Sequence, residues 1–257
     1  MRISGTKEWA TDSVNVATGC SHGCLYCYAR DMAVRYGRST HETWTRESLR
    51  PVPSRFRKYG GTVMLPTTHD ITSVTCASVV AAALGLLKAG NKILLVSKPH
   101  SEIISYVCSA LNKWKDQVLF RFSIGAVDDR ILGFWEPNAP SFSERLLSLV
   151  LAHERGYQTS VSAEPLLDSS RVCDLVSAVE PYVTDSIWIG KANMLRRRAR
   201  WAVDPTSPEL KRVEGGQTDV AIKAVYQSLR NNPLIRWKES YKAVLGLELA
   251  TRAGLDR

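Results

Sequence analysis

Short β-rich runs alternate six times with longer helical patterns between residues 13 and 190, and this alternation restricts the chain to few folds. Apolar strand-like runs are each followed by an amphipathic helical pattern. Repeated units of this kind pair their strands into a parallel sheet covered by helices. The sequence therefore predicts an α/β fold, a partial (β/α)6 TIM-type barrel. The predicted strands span residues 13–18, 62–66, 92–97, 118–124, 157–163 and 186–190.

The pattern changes after residue 190. We expect a barrel core at residues 1–190 and a basic, mainly helical C-terminal extension at residues 191–257, with helical patterns at 219–230 and 234–252. The extension begins with four arginines beside a tryptophan, which suits phosphate contacts and stacking on an unpaired base. A solvated helical face, or pairing with carboxylates of the same chain, explains the run equally well. These candidate nucleic-acid contacts are Arg196, Arg197, Arg198, Arg200 and Trp201.

The overall charge favours polyanionic partners. Lysine and arginine outnumber aspartate and glutamate by 34 to 25, which leaves a formal net charge of +9. The first residues lack the apolar core of a signal peptide, and no stretch approaches the roughly 18 apolar residues of a membrane span. The sequence therefore predicts a cytoplasmic protein without a membrane partner.

Three cysteines, Cys20, Cys24 and Cys27, lie within eight residues. Their spacing suits three thiolates on one iron–sulfur cluster, and three ligands leave one iron of a four-iron cluster open. A structural zinc site needs four ligands, and only His22 lies nearby in the sequence. Six cysteines without a secretory leader do not indicate a disulfide framework. The other three are expected to pack in helical cores: Cys76, Cys108 and Cys173.

The pattern Cys-x-x-x-Cys-x-aromatic-Cys, with Tyr26 before the last cysteine, resembles the signature of the radical S-adenosylmethionine superfamily. The resemblance implies a 4Fe-4S cluster held by Cys20, Cys24 and Cys27, with S-adenosylmethionine on the open iron. It also implies an external one-electron reductant such as flavodoxin or ferredoxin. Cleavage of S-adenosylmethionine would then yield a 5′-deoxyadenosyl radical that abstracts a hydrogen atom from a substrate.

A second set of residues resembles the spore photoproduct lyase-like branch of that superfamily, across about residues 13–190. Ser123 at a strand end is followed by Glu136-Pro-Asn-Ala-Pro140 and an Arg-Leu pair. Glu136 could bind a ligand, although capping the loop before the next helix is its simplest role. The branch implies a nucleic-acid substrate, and it assigns contacts with S-adenosylmethionine to Tyr26, Thr67, Thr68, Asp70, Lys98 and Ser123.

At one position, the residue of this chain differs from the residue of the lyase. The resemblance puts Thr67 where the lyase has a cysteine that donates a hydrogen atom, and the stronger O–H bond makes threonine a poor donor. Repair of that photoproduct is therefore not predicted unless Cys76 or the extension replaces the donor, and no catalytic residue is assigned. Two alternatives stay open: radical modification of a peptide, protein or small molecule, and a non-catalytic iron–sulfur protein that binds nucleic acid.

Overall fold

The computed structural model describes residues 3–254, whose central feature is a sheet of seven parallel strands. In the order in which they lie side by side, the strands are β1 (Asp12–Ser13), β4 (Val63–Leu65), β5 (Ile93–Ser97), β6 (Val118–Ser123), β7 (Gln158–Ala163), β8 (Ser186–Ile189) and β9 (Ile235–Trp237). A separate antiparallel pair, β2 (Ala17–Thr18) and β3 (Ser48–Leu49), lies beside the segment that contains the cysteines.

Helices connect the parallel strands and pack on the outer face of the sheet. The largest apolar cluster joins side chains of this face, such as Phe120 and Phe122, to buried helix residues such as Leu86 and Val107. Burial of this much apolar surface is the main stabilising contribution to the fold. The helices are α1 (Tyr28–Arg35), α2 (Cys76–Lys88), α3 (Ser101–Leu111), α4 (Asp129–Trp135), α5 (Phe142–Glu154), α6 (Val172–Val179), α7 (Leu195–Ala199), α8 (Pro208–Gly215), α9 (Asp219–Leu229) and α10 (Glu239–Leu245).

The barrel is open between β1 and β9, its two edge strands. Residues 5–10 fill part of the interior, where the Trp9 ring packs edge-on against Trp188 at 5.8 Å. The buried Arg121 guanidinium lies 4.6 Å from the Trp9 ring, and burial lowers its pKa to about 10. These side chains pack together inside the barrel, and ligands of parallel barrels bind at the carboxyl ends of the strands.

The predicted α/β partial barrel is confirmed, with three corrections in detail. The predicted first strand divides into β1, which joins the main sheet, and β2, which does not. The pattern at 234–252 is not one helix: it contains β9 and α10, because Ile235 and Trp237 are buried where β9 pairs with β8. Cys173 is exposed, since the buried stripe of α6 runs through Val172 and Leu175.

None of the helices within residues 3–254 is long and apolar enough to cross a membrane.

Candidate active site

The cysteine loop, residues 19–27, runs from β2 to the start of α1. Gly19 has φ +91°, and a side chain there would place its Cβ 2.2 Å from the carbonyl oxygen of Arg46. Only glycine tolerates both that backbone conformation and that approach. At the other end, the Cys27 sulfur accepts a hydrogen bond from the Arg30 amide at 3.4 Å and so caps α1. The sequence thus folds the loop tightly against the 44–46 segment.

Arg30 holds the backbone of the loop from inside. Its buried guanidinium donates to the carbonyl oxygens of Cys24 at 2.8 Å and of Leu25 at 2.7 Å. It also lies 3.9 Å from the Trp201 ring, and that ring stacks against His41 at 4.9 Å. The extension therefore reaches the cysteine loop through Trp201.

Asp70 joins the cysteine loop to the end of β5. One carboxylate oxygen accepts hydrogen bonds from the Lys98 amide at 2.7 Å and the Ser97 hydroxyl at 3.1 Å. The other lies 2.8 Å from His22 Nδ1 and 3.8 Å from the Cys20 sulfur. Burial alone would raise the pKa of Asp70, but the charges of Lys98 and His22 hold it well below its usual range. Asp70 is therefore an ionised carboxylate with protein partners on both oxygens.

The thiols of the loop lie in low-dielectric surroundings. Cys20 and Cys24 are buried, and Cys27 is half-buried. Burial raises the pKa of the Cys24 thiol to about 12, although the nearby Lys98 acts in the opposite direction. Burial also raises the pKa of the Cys20 thiol, and charge on Asp70, Cys24 or Cys27 would raise it further. The three sulfurs are thus near enough to influence one another electrostatically.

Glu136 lies opposite Asp70, across the Lys98 ammonium. The ammonium is 3.8 Å from Asp70 and 3.9 Å from Glu136. Glu136 also accepts a hydrogen bond from the Tyr26 hydroxyl and pairs with Arg145 at 2.6 Å. Burial would raise its pKa, but Arg145 and Lys98 lower it. Burial likewise opposes the charged form of Lys98, yet Cys24, Tyr26 and the two carboxylates raise its pKa.

The segment after β4 is held mainly through its backbone. Asn15 accepts hydrogen bonds from the amides of Thr67 at 2.8 Å and Thr68 at 2.9 Å, and its own amide nitrogen donates to the Thr67 hydroxyl at 2.8 Å. The Tyr28 hydroxyl donates to the Thr67 carbonyl. His69 is buried and accepts from the Val16 amide at 3.2 Å, so it does not face solvent.

Ser123 ends β6 beside this site. Its carbonyl accepts a hydrogen bond from Arg145 at 3.2 Å, while its hydroxyl has no hydrogen-bond partner among residues 3–254. The structure therefore brings together four of the six residues expected to contact the cosubstrate, because Tyr26, Lys98 and Ser123 contact Asp70, Glu136 or Arg145. The fourth is Asp70 itself, while Thr67 and Thr68 are hydrogen-bonded to Asn15 instead.

The arginine run is largely occupied within the chain. Arg196 pairs with Glu214 at 2.5 Å, and Arg197 pairs with Asp31 at 2.6 Å. The guanidinium of Arg198 lies 5.9 Å from the Tyr28 ring, whereas Arg200 is exposed. The sequence left two interpretations of this run open, nucleic-acid contacts and pairing with carboxylates of the same chain. Pairing within the chain applies to its first two arginines.

Sequence reasoning missed several polar residues that organise the site. His22 entered only as a possible zinc ligand, and Glu136 mainly as a cap. Arg30, Arg145 and Asn15 had no assigned role, although all three hold backbone or charge at the site. The sequence did hold one signal for the ion pair of Glu136 with Arg145. The Glu136-Pro-x-Ala-Pro motif and the arginine that follows it place opposite charges at the two ends of one short turn.

No family model matches the chain. The sequence is 28% identical over 181 residues to an uncharacterized protein, ORF301, of Acidianus two-tailed virus. The aligned part covers 64% of this chain and 58% of the viral protein, so it spans less than two thirds of that relative.

Solved structures give the closer architectural likeness. Spore photoproduct lyase complexed with dinucleoside spore photoproduct superposes with a TM-score of 0.57 at 13% identity, over 86% of this chain and 74% of that protein. Streptococcus suis SuiB bound to S-adenosylmethionine has a TM-score of 0.56 at 11% identity, over 95% of this chain and 54% of SuiB. Both are radical S-adenosylmethionine enzymes, and this chain has the fold that these two proteins share.

Proposed function

We propose that the chain is a radical S-adenosylmethionine enzyme that uses a 5′-deoxyadenosyl radical to abstract hydrogen from a substrate. The observation that carries the proposal is the position of the cysteine loop beside Lys98, just beyond the carboxyl end of β5. Ligands of parallel barrels bind at this edge because the loops there converge. The shared fold supports the proposal without testing the reaction.

The donor set fits a 4Fe-4S cluster. Three thiols belong to one short loop, two of them are buried, and charge on Cys24 or Cys27 raises the pKa of the Cys20 thiol further after burial has raised it. Metal binding deprotonates such thiols, and the positive charge of the metal offsets the cost of burying thiolates. Cys20, Cys24 and Cys27 would hold the cluster. When bound, the cluster and S-adenosylmethionine supply one-electron cleavage of a sulfonium bond and a carbon-centred radical.

A competing metal site uses different atoms. Ligand atoms of Cys20, His22 and Asp70 all lie within 4.8 Å of one another. However, the Asp70 oxygen that faces Cys20 already lies 2.8 Å from His22 Nδ1, and the second ring nitrogen of His22 lies 3.1 Å from His100. A metal on this trio would have to replace contacts that the protein itself provides. The three-thiol set would give up only the weak 3.8 Å contact of the Cys20 thiol with Asp70, so we favour it.

Lys98 would bind the carboxylate of S-adenosylmethionine. Its ammonium has carboxylate oxygens at 3.8 and 3.9 Å, beyond hydrogen-bond distance, so its N–H groups are free to donate to a ligand. The free hydroxyl of Ser123 and the hydroxyl of Thr67 offer further polar contacts. Asp70 would serve mainly to position Lys98 and His22, since its own oxygens are engaged.

We further propose a nucleic-acid substrate and a cytoplasmic setting. The net charge of +9 and the lyase solved with a dinucleoside photoproduct support the substrate class. Peptide modification is the alternative, because the structure of SuiB, which has a similar fold, was solved with its precursor peptide bound. Arg200 is exposed and has no ion-pair partner among residues 3–254, so it is the member of the arginine run best placed for such contacts. A reducing cytosol would preserve an accessible cluster.

The proposal is tested by anaerobic reconstitution with iron and sulfide. We expect absorption typical of a 4Fe-4S cluster, and release of 5′-deoxyadenosine on addition of dithionite and S-adenosylmethionine. Cys24→Ala should abolish both signals, whereas Cys173→Ala, which alters an exposed thiol on α6, should leave both unchanged. Equal product from wild type and Cys24→Ala would refute the radical reaction.

The same preparation distinguishes the enzyme from the non-catalytic alternative, an iron–sulfur protein that only binds nucleic acid. A protein that binds nucleic acid in a salt-dependent manner, carries a cluster and releases no 5′-deoxyadenosine would support that alternative. For the enzyme, anaerobic incubation with deuterated nucleic acid should transfer label to 5′-deoxyadenosine, as detected by mass. Label transfer from a peptide instead would overturn the substrate class.

A further inference from the structure

A cavity of about 320 Å³ lies at the amino ends of the parallel strands, on the inner side of the sheet. Thr62 immediately precedes β4, and Leu94 and Leu119 are the second residues of β5 and β6. Lys98 follows the opposite, carboxyl end of β5. The cavity is therefore separate from the site of the proposed radical reaction.

The walls of the cavity combine aromatic and aliphatic side chains with a buried charge. The Arg121 guanidinium lies 4.6 Å from the Trp9 ring and 5.3 Å from the Trp188 ring. Leu94 and Leu119 add aliphatic surface. Pockets that bind small molecules are mostly apolar and carry a few polar groups that orient the ligand. These walls suit a ligand with a small apolar body and one polar end.

Arg121 offers a hydrogen-bond donor that the protein itself does not use. Its Nε donates to the Ser160 hydroxyl at 2.9 Å, and its Nη2 donates to Asp185 at 3.3 Å. Its Nη1 has no hydrogen-bond partner among residues 3–254, although the side chain is only 5% exposed. Arg121 lines the cavity, and this nitrogen is not fully enclosed by protein. An acceptor bound in the cavity would offset the cost of leaving the donor unpaired.

The charges that line the cavity favour a monoanion. They are the guanidiniums of Arg121 and Arg236 and the carboxylate of Asp185, which leaves one positive charge in excess. Burial lowers the pKa of Arg121 to about 10, so it stays protonated at neutral pH. Arg236 uses its Nη1 on the carbonyls of Pro233 and Ile235, and its other side-chain nitrogens have no partner among residues 3–254. A multiply charged anion would be repelled by the carboxylate, whereas a monoanion balances the excess.

We propose that this cavity binds a small organic monocarboxylate. The carboxylate accepts hydrogen bonds from Arg121 and Arg236, because guanidinium donors match its planar geometry. The apolar body of the ligand packs against Leu94 and Leu119. The proposal does not depend on the proposed function, since no residue of the cysteine loop lines the cavity, nor does Lys98.

A purely structural role for Arg121 is the competing explanation. Its ion pair with Asp185 and its contacts with Trp9 and Trp188 would stabilise the barrel without any ligand. That role leaves the Nη1 donor unused. It also leaves open space beside the guanidinium, whereas protein interiors are normally close-packed.

Calorimetric titration of the full chain with benzoate, phenylacetate and indole-3-acetate tests the proposal. The neutral amide of the tightest binder should bind at least about tenfold more weakly, because it lacks the charge-assisted hydrogen bonds. Arg236→Gln should weaken binding of the acid by a similar factor. Leu119→Trp should prevent binding, since it fills the cavity and removes no charge. The control, Arg230→Gln, removes an exposed arginine just beyond α9 and should bind as wild type does.

Urea denaturation of each variant verifies its folding. Binding of none of the three acids, equal affinity for acid and amide, or wild-type affinity in Arg236→Gln would overturn the proposal. Inorganic phosphate that binds as tightly as the best acid would overturn the monocarboxylate class. Affinities measured before and after reconstitution of the cluster should agree. A chain that binds the acid and releases no 5′-deoxyadenosine would therefore defeat the proposed function and support this site.

Discussion

The carboxylate of Glu136 lies 2.6 Å from the guanidinium of Arg145, and both side chains are buried. The pair bridges the turn between α4 and α5, and Arg145 also donates to the carbonyl oxygens of Pro140 at 2.8 Å and Ser123 at 3.2 Å. Through Glu136, the same turn contacts Tyr26 of the cysteine loop. One buried ion pair therefore connects the loop with the end of β6.

Arg145→Met should lower the free energy of unfolding by about 3 kcal/mol, because it leaves the Glu136 carboxylate buried without its nearest cationic partner. Urea denaturation measures the change. Arg130→Met serves as control, since Arg130 is almost fully exposed and should change stability by less than about 0.5 kcal/mol. Similar losses in the two variants would contradict a special contribution from the buried pair.

Asp70→Asn should destabilise the chain at neutral pH and much less at acidic pH. The pKa of Asp70 is lowered in the folded chain from its ordinary 3.8. Its stabilising contribution is therefore fully present above about pH 5 and is lost as pH falls below about 4. The difference in unfolding free energy between wild type and Asp70→Asn should narrow between pH 6 and pH 3. A constant difference across that range would show that ionisation of Asp70 does not stabilise the fold.

Lys98→Gln should weaken binding of S-adenosylmethionine to the reconstituted protein by at least about tenfold, since a charge-assisted contact contributes roughly 1.4 kcal/mol or more. Equilibrium binding measures this change, and cluster absorption confirms that the cysteines remain loaded. Lys92→Gln alters an exposed lysine at the other end of the same strand region and should bind normally. If both variants bind as wild type does, Lys98 has no role in holding the cosubstrate.

His22→Ala should lower the retention of iron by about tenfold or more during chelator challenge, because loss of groups that orient metal ligands has effects of that size. His22 lies inside the loop and contacts Asp70 at 2.8 Å. His100, its other neighbour at 3.1 Å, is partly exposed, and His100→Ala should retain iron nearly as wild type does. Iron and sulfide analysis distinguishes the two. Full retention by His22→Ala would remove His22 from any positioning role.

The barrel strands were predictable because each is a local apolar run with a helical pattern beside it. β5 and β6 occur within a residue of their expected bounds. β9 was missed because three residues carry too little pattern by themselves, and pairing with β8 decides their conformation. The same limit applies to Cys173, whose apolar neighbours suggested burial while its own position on α6 faces solvent.

At the site, the spacing of the three cysteines singled out their loop, and the family resemblance singled out Lys98. Polar partners were not predictable in this way. Tyr26 meets Glu136 across 110 positions of sequence, and Arg197 meets Asp31 across 166. Such pairs leave no pattern in the local sequence, because only folding brings residues so distant in the chain together.

The sequence alone determined the order of the βα units and the three-cysteine loop, since both are properties of neighbouring residues. Tertiary structure alone decided that Asp70 would bind His22 and the β5 end, and that Glu136 would pair with Arg145. It also decided that two arginines of the extension would be paired within the chain. The physical reason is that ionisation and pairing depend on distance and burial in the folded chain, which no single segment specifies.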